Sequence, residues 1–174
     1  MRVYEGSPRQ DYEEVLRSIG AILDQRGMRE ISISEVPEGF LVQGLTASQG
    51  AGSAWSDTLG QLHKESLSFV DDDIARFMEE GLALRSNPSP AAGTTAAGNY
   101  EHALRVIGHY IDQQRPKDVF LFEQEGAYVL RLLMASAAGV RHMLVEYTRD
   151  EVDQLIAQGA TLRFEAAQPS QAGT

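Results

Sequence analysis

The residues of this chain best suited to metal chemistry are two histidines, His102 and His109, with an aspartate, Asp112, close by. Histidines seven residues apart share one face of a helix. A metal site there would need a third ligand, and the Asp112 carboxylate is the nearest donor in sequence. A pair of histidines on one helix face is more typical of a solvated surface, so we predict no metal site.

Three consecutive aspartates, Asp71–Asp73, form a second group of potential cation ligands. They precede a predicted helix, where carboxylates accept hydrogen bonds from free backbone N–H groups and offset the helix dipole. This position explains the acidic run better than cation binding does. Glu38, Glu123 and Glu125 lie near predicted hairpin turns, and we expect their side chains to be solvated.

Sequence signatures of nucleotide binding and of nucleophilic catalysis are missing. The segment SQGAGSAW (48–55) is rich in glycine but lacks the lysine and the helix start of a phosphate-binding loop. There is no Gly-x-Ser-x-Gly nucleophile elbow. The lack of cysteine excludes thiolate catalysis, disulfides and thiolate metal sites. No two carboxylates are placed by a motif for acid–base catalysis. We therefore predict no catalytic residue, no cofactor and no metal, and we expect a protein that is not an enzyme.

The net charge of the chain disfavours two classes of partner, nucleic acids and anionic membranes. Its 174 residues carry a formal net charge of -10. Such an acidic balance repels phosphate backbones and anionic lipid surfaces, so we predict binding to neither nucleic acid nor membrane. The N-terminal segment lacks the apolar stretch of a signal peptide, and no apolar run approaches the roughly 18 residues of a membrane helix. We expect a cytoplasmic protein.

The most informative feature of the sequence is a repeat. The segment YEEVLRSIGAILDQR begins at Tyr12, and YEHALRVIGHYIDQQ begins at Tyr100. The identical positions are Tyr12/Tyr100, Glu13/Glu101, Leu16/Leu104, Arg17/Arg105, Ile19/Ile107, Gly20/Gly108, Asp24/Asp112 and Gln25/Gln113. Apolar residues at helical spacing predict a helix in each copy.

Local signals agree with these two helices. Asp11 and Asn99 precede them as N-cap residues, with Glu14 completing a capping box for the first helix. The glutamate and arginine of each copy, four residues apart, predict an ion pair along each helix. Because Gly20 and Gly108 lower helix propensity at mid-helix, we expect another element to approach the backbone closely there.

Each predicted helix is followed by three strand patterns and a second helix. The segment TRDE (148–151) predicts a capping box, and Gly81 and Gly159 predict the ends of the second helices. We therefore predict an α+β fold, a tandem duplication of an α-β-β-β-α unit with pseudo-two-fold symmetry. Its antiparallel sheets would be covered by helices and joined edge to edge as a pseudo-dimer in one chain. The predicted boundaries are 1–85 for the first unit, 86–98 for a linker, 99–164 for the second unit and 165–174 for a disordered tail.

The two copies differ on one face of the predicted sheets. Ser32 and Ser34 of the first copy correspond to Phe120 and Phe122 of the second, and Leu144 adds to the same apolar surface. An apolar surface of this kind has to be covered. The cover is the linker, the tail or the other unit, a second copy in a homodimer, or another protein, and the sequence leaves these alternatives open.

The first copy also carries an insertion between its second and third strands, within 46–62. It holds the only tryptophan of the chain, Trp55. A long loop with an aromatic residue is typical of a binding site. The alternative interpretation is a lid in which Trp55 folds back on an apolar seam.

The element order of each unit is shared with double-stranded RNA-binding domains. Those domains need basic residues at the start of the last helix, whereas Asp71–Asp73 or Arg149–Glu151 stand there in this chain, so we reject RNA binding. The segment VLRSIGAILDQRGMREISISEVPEGFLVQGL, Val15–Leu45, and its counterpart from Ala103 resemble the opening helix and hairpin of type III secretion chaperone-like proteins, including the YbjN-like proteins. The resemblance implies a protein-binding, chaperone-like or regulatory role without a cofactor.

These observations predict a non-enzymatic protein-binding module, chaperone-like or adaptor-like. The candidate protein-binding residues are Phe120, Phe122 and Leu144 on the sheet of the second unit, with Trp55 as a second anchor. An alternative is a small-molecule sensor or an unrecognised enzyme with a pocket between the two units, where pockets commonly form. A third alternative is a purely structural homodimer.

Overall fold

The computed structural model describes residues 11–47, 62–70, 74–86 and 100–157. The first half of the chain contains α1 (Tyr12–Arg26), β1 (Arg29–Val36), β2 (Gly39–Ala47), β3 (Leu62–Val70) and α2 (Ile74–Ser86). The second half contains α3 (Tyr100–Gln114), β4 (Asp118–Gln124), β5 (Ala127–Ser136), β6 (Gly139–Tyr147) and α4 (149–157). Each half has the predicted order of one helix, three strands and one helix.

All six strands form one antiparallel sheet in the order β3-β2-β1-β4-β5-β6. The two halves meet at its centre, where β1 pairs with β4 and Ile33 lies opposite Leu121. The α+β class and the edge-to-edge joining of the halves are therefore confirmed. The strand order is the one that a tandem duplication predicts, and the duplication itself stays an interpretation of the sequence repeat.

Two-residue turns connect the strands of the predicted hairpins. Pro37 and Glu38 separate β1 from β2, and Glu125 and Gly126 separate β4 from β5. Glu125 and Gly126 have φ angles of 52° and 81°. Positive φ at both central residues is the requirement of a type I′ turn, which matches the twist of the strands that it joins.

The hydrophobic core lies between one face of the sheet and helices α1 and α3. Alternate strand residues such as Ile31 and Ile33 point into it, as expected from the two-residue period of a strand. The largest fully buried side chains are Leu16, Ile19, Leu23, Met28, Ile31, Ile33, Leu104, Ile107, Ile111, Leu121, Leu130 and Leu132. Both copies of the repeated helix thus bury the apolar stripe that predicted them.

Helices α1 and α3 pack against each other in antiparallel orientation at the two repeated glycines. A Cβ atom added to Gly20 would lie 2.6 Å from the carbonyl carbon of Tyr100, and one added to Gly108 would lie 2.6 Å from the carbonyl oxygen of Tyr12. No side chain fits at such distances. The predicted close approach at both glycines is confirmed.

The helix ends follow the sequence signals only in part. The capping box of α4 is confirmed, because Thr148 N–H donates to Glu151 Oε2 at 2.7 Å and Glu151 N–H donates to Thr148 Oγ1 at 3.4 Å. The predicted capping box of α1 is wrong, since the Asp11 side chain accepts no hydrogen bond from the helix. Within the described ranges, no helix is both long enough and apolar enough to cross a membrane.

The predicted end of α2 at Gly81 is also wrong, because the helix continues to Ser86. Gly81 instead packs on α1, where an added Cβ would lie 2.7 Å from Ser18 Cβ. The physical reason for this glycine is close helix packing and not helix termination. Gly159, Asn99 and the tail predicted for 165–174 lie outside the described residues.

Candidate functional site

The repeated residues meet where α1 packs on α3, and the first of their roles is to cap α1. The Asp112 carboxylate, at the end of α3, accepts hydrogen bonds from the backbone N–H groups of Tyr12 at 2.8 Å and Glu13 at 3.0 Å. First-turn N–H groups have no acceptor within their own helix. Asp112 therefore supplies the hydrogen-bond acceptor for α1 that we predicted from the sequence at Asp11.

The reverse contact caps α3 with an aspartate of α1. The Asp24 carboxylate accepts hydrogen bonds from the N–H groups of Tyr100 at 3.0 Å and Glu101 at 3.1 Å. Burial raises the pKa of Asp24 to about 6, although these two hydrogen bonds act in the opposite direction. The reciprocal caps explain why an aspartate recurs at the same place in both copies.

The charged residues of the repeat also pair across the helix contact. Arg17 Nε lies 3.3 Å from Glu101 Oε1, and Arg105 Nε lies 3.0 Å from Glu13 Oε1. The ion pairs predicted along each helix are therefore wrong. The antiparallel packing brings each arginine to the glutamate of the other helix, at the point where both side chains are half-buried.

Glu13 binds a second basic side chain, because its Oε2 lies 2.9 Å from His109 Nδ1. Burial alone would raise the pKa of Glu13, but the hydrogen bonds to Arg105 and His109 outweigh it, and the pKa is lowered. Two of the three residues weighed as metal ligands, His109 and Asp112, thus have structural partners. In the part of the chain that the structure describes, no three metal-ligating side chains lie close enough to hold an ion.

Two tyrosines connect the helix pair to the sheet. Tyr12 Oη donates a hydrogen bond to Glu35 Oε2 at 2.9 Å, and Tyr100 Oη donates one to Glu123 Oε2. Burial and the Glu123 carboxylate raise the pKa of Tyr100. The prediction that Glu123 is solvated is wrong, since its side chain is half-buried in β4.

Sequence reasoning missed these tyrosine–glutamate pairs, although the sequence contained a signal for them. Glu35 and Glu123 have the same separation as Tyr12 and Tyr100, so they are a further repeated pair. The helix-covered side of the sheet is therefore explained by packing, caps and ion pairs. The residues that differ between the halves lie on the other side.

The opposite face of the sheet, which we call the helix-free face, points away from α1 and α3. Its central row of cross-strand neighbours runs Ser68, Leu41, Ser34, Phe120, Arg131, Leu144. The next row runs Ser66, Gln43, Ser32, Phe122, Val129, Glu146. The structure thus brings Phe120, Phe122 and Leu144 together on one surface, while the first half presents mainly serines there.

The apolar part of this surface, which we call the aromatic face, consists of Phe120, Phe122, Val129 and Leu144 with Arg131. The two phenylalanine rings have centroids 5.7 Å apart, and the Arg131 guanidinium lies 5.1 Å from the centroid of Phe120. Leu144 is 68% exposed. Arg131 is exposed too, so the aromatic face offers an apolar surface with a cation above one ring.

Sequence reasoning missed Val129, Arg131 and Leu41 as members of the helix-free face. They lie on the second strand of each hairpin, and alternation along that strand was the available signal. Trp55, the remaining candidate residue, lies outside the described residues.

Comparison with models of known protein families, with curated proteins and with solved structures gives no match. The resemblance to type III secretion chaperone-like proteins therefore stays a prediction. The function has to be argued from the residues of this chain.

Proposed function

We propose that this chain is a non-enzymatic protein-binding module, chaperone-like or adaptor-like, which acts in the cytoplasm and binds its partner on the aromatic face. The observation that carries the proposal is the position of Phe120, Phe122 and Leu144 on the side of the sheet opposite α1 and α3. The matching positions of the first half are serines, so this cluster of apolar side chains lies in the second half.

The side chains of the aromatic face are the types that dominate protein interfaces. Aromatic residues and arginine are enriched at interface cores, and a few of them carry most of the binding free energy. Phe120 and Phe122 are half-buried at the centre of the surface, while Leu144 and Arg131 are exposed beside them. This arrangement combines an apolar surface with one exposed cation inside it.

The chemistry of the face also describes the partner that fits it. Phe120, Phe122, Val129 and Leu144 require apolar side chains on the partner, because burial of apolar area is the main source of affinity here. Arg131 lies between Phe120 and Leu144 in the central row. A carboxylate on the partner next to its apolar side chains would pair with this guanidinium.

The alternative, a small-molecule site between the two halves, has less support. Helices α1 and α3 are in backbone contact at Gly20 and Gly108, so this part of the junction is filled by the protein itself. A ligand that bound elsewhere along the junction would raise the unfolding temperature with increasing ligand concentration. A thermal-shift screen of small molecules therefore separates the two functions.

The first test is a pull-down from native lysate with three tagged chains: wild type, Phe120→Ser/Phe122→Ser, and Ser66→Ala/Ser68→Ala. The phenylalanine double variant copies the polar pattern of the first half. The serine double variant changes the same face at its far edge and is the matched control. We expect wild type and the serine variant to retain a partner that the phenylalanine variant loses, at least about tenfold in affinity.

Urea unfolding of the same three chains completes the test. We expect the phenylalanine variant to keep a cooperative unfolding transition, because its side chains lie outside the main core. A loss of several kcal/mol, about what large-to-small core substitutions cause, together with an unchanged partner, would show that the face is covered within the molecule. A wild-type pull-down that retains no partner would also contradict the proposal.

A further inference from the structure

The two outer edges of the sheet differ in a way that points to self-association at one of them. Along β3, the helix-free face carries Lys64, Ser66 and Ser68, with Val70 at the end of the strand, and a lysine with small polar residues is a common protection of an edge strand. Along β6, the same face carries Leu144, 68% exposed, and Val140, 55% exposed. In the described part of the chain, β6 pairs only with β5 and forms one end of the sheet.

Symmetry restricts how a second copy could pair with this edge. An antiparallel pair of identical strands obeys a two-fold axis, and residues directly opposite each other point to the same side of the sheet. Both helix layers lie on the same side of the joined sheet only if facing residues lie on the same side of their own strands. One residue of β6 must therefore lie directly opposite its own copy, at the two-fold axis. The pairing of β1 with β4 inside the chain already has this geometry, with both helix layers on one side.

One register of β6 is self-complementary. With the axis at Leu144, the two Leu144 side chains face each other, and His142 of each copy lies opposite Glu146 of the other. On the helix side, Met143 lies opposite Val145. With the axis moved to Met143, Leu144 would face His142 instead, and with the axis at Val145 it would face Glu146.

We propose that β6 pairs in antiparallel fashion with β6 of a second copy of this chain, with the two-fold axis at Leu144. The side chains of His142 and Glu146 are exposed, and neither is hydrogen-bonded or ion-paired to a described residue of its own chain. The pairing covers Leu144 and places each His142 ring opposite a Glu146 carboxylate, which can accept a hydrogen bond from a ring N–H across the strands.

The dimer would also place two aromatic faces side by side on one continuous sheet. In each copy Leu144 is the neighbour of Arg131, which is the neighbour of Phe120 in the same row. The inference goes beyond the proposed function, because it concerns the edge of the sheet and not its face. The two proposals can therefore fail separately.

Sedimentation velocity over a range of protein concentrations tests the pairing with charge variants at two positions. His142→Glu places two carboxylates opposite each other at both ends of the interface, and Glu146→Lys removes the carboxylate that faces each His142. We expect wild type to dimerise and each single variant to raise the dimer Kd at least about tenfold. His142→Glu does so because like charges directly opposite disfavour strand pairing, and Glu146→Lys does so because it removes both cross-strand hydrogen bonds. The double variant His142→Glu/Glu146→Lys places a glutamate opposite a lysine at both ends and restores the dimer.

An equimolar mixture of the two single variants provides a second, independent readout. In a mixed dimer, the new glutamate of one chain faces the new lysine of the other, so the mixture is expected to dimerise more tightly than either variant does alone. Thermal unfolding of all four chains controls for misfolding, and we expect equal midpoints at a concentration where every chain is monomeric.

Three results would overturn the inference. One is a monomeric wild type, the second is a dimer whose Kd neither single variant changes, and the third is a mixture that stays monomeric. If Phe120→Ser/Phe122→Ser abolishes the dimer while the edge variants leave it intact, self-association occurs through the aromatic face. A dimer without a captured partner would contradict the proposed function and leave the edge pairing intact.

Discussion

Where α1 packs on α3, the two halves of the chain use the same residues, whereas on the helix-free face of the sheet they use different ones. Gly20 and Gly108 permit the same close approach from either side, and Asp24 caps α3 as Asp112 caps α1. On the helix-free face, Ser32 and Ser34 of β1 lie opposite Phe122 and Phe120 of β4. The residues that the two halves share therefore serve packing between the helices. The residues that differ lie on the surface that we propose for binding.

The largest effect on stability is expected from adding one carbon atom where α1 contacts α3. Gly20→Ala forces a Cβ to within 2.6 Å of the Tyr100 backbone, which cannot move aside as a side chain could. We expect a loss of about 2 kcal/mol in unfolding free energy from overpacking, measured by urea unfolding. Gly108→Ala should lose a similar amount, because its Cβ meets the backbone of Tyr12 and Glu13.

The control for this pair is Gln25→Ala, an exposed position of α1, for which we expect a change within about 0.5 kcal/mol. The sign of the change in unfolding free energy on Gly20→Ala shows whether another helix contacts this glycine. In a helix without a close neighbour, alanine stabilises by about 1 kcal/mol relative to glycine. A stabilised Gly20→Ala chain would therefore contradict the backbone contact between α1 and α3.

A smaller effect is expected from the titration of the α3 cap. The pKa of Asp24 is raised by burial from 3.8 to about 6, so the folded state binds this proton more tightly than the unfolded state does. The stability gained from that proton is fully present below the unfolded pKa and is lost as the pH rises through about 6. Between pH 7 and pH 5, we expect wild type to gain about 1 kcal/mol relative to Asp24→Asn.

Urea unfolding of wild type and Asp24→Asn at several pH values between 5 and 7 measures this difference. Other titrating groups are common to both chains and cancel in the comparison. A difference in unfolding free energy that stays constant over this range would show that the Asp24 carboxyl is not buried against α3 as described.

The smallest effect on stability is expected on the helix-free face. Ser32→Phe/Ser34→Phe extends the aromatic row of β4 onto β1 and removes the difference between the halves. Because these side chains point away from the helices, we expect the unfolding free energy to change by less than about 0.5 kcal/mol. Partner capture should be retained or strengthened, since the apolar surface becomes larger.

Urea unfolding and the pull-down described above check this variant, with Ser32→Ala/Ser34→Ala as the control for the loss of both hydroxyl groups. A loss of stability as large as that of Gly20→Ala would mean that something already packs on Ser32 and Ser34. The helix-free face would then be part of the interior.

Much of the fold could be predicted from local patterns in the sequence. Strand alternation, the hairpin turns and the TRDE capping box are all set by residues within a few positions of one another, and the structure has them. The repeat also predicted one contact between distant parts of the chain, because a glycine kept in both copies of the helix indicated close packing against another element. Gly81 shows the limit of that reasoning, since a glycine near a helix end fits termination and packing equally well in sequence.

The contacts that the sequence did not reveal join residues far apart in the chain. Glu13 has a favourable arginine four residues away, and only the antiparallel packing of α1 and α3 shows that its partner is Arg105. The acceptor for α1 was likewise expected at Asp11, although Asp112 provides it. For the aromatic face, the alternation of Phe120 and Phe122 was enough to predict a shared face, and only the register showed that Arg131 lies beside them.

The reciprocal caps have a consequence for the order in which the chain folds during synthesis. The backbone N–H of Tyr12 finds its acceptor 100 residues later, at Asp112. The central strand pair joins Ile33 to Leu121, another long separation. Contacts between distant residues slow folding, because a long loop must close before they form. The first half therefore leaves the ribosome with an uncapped helix and an open central strand, and it reaches its final state only when the second half arrives.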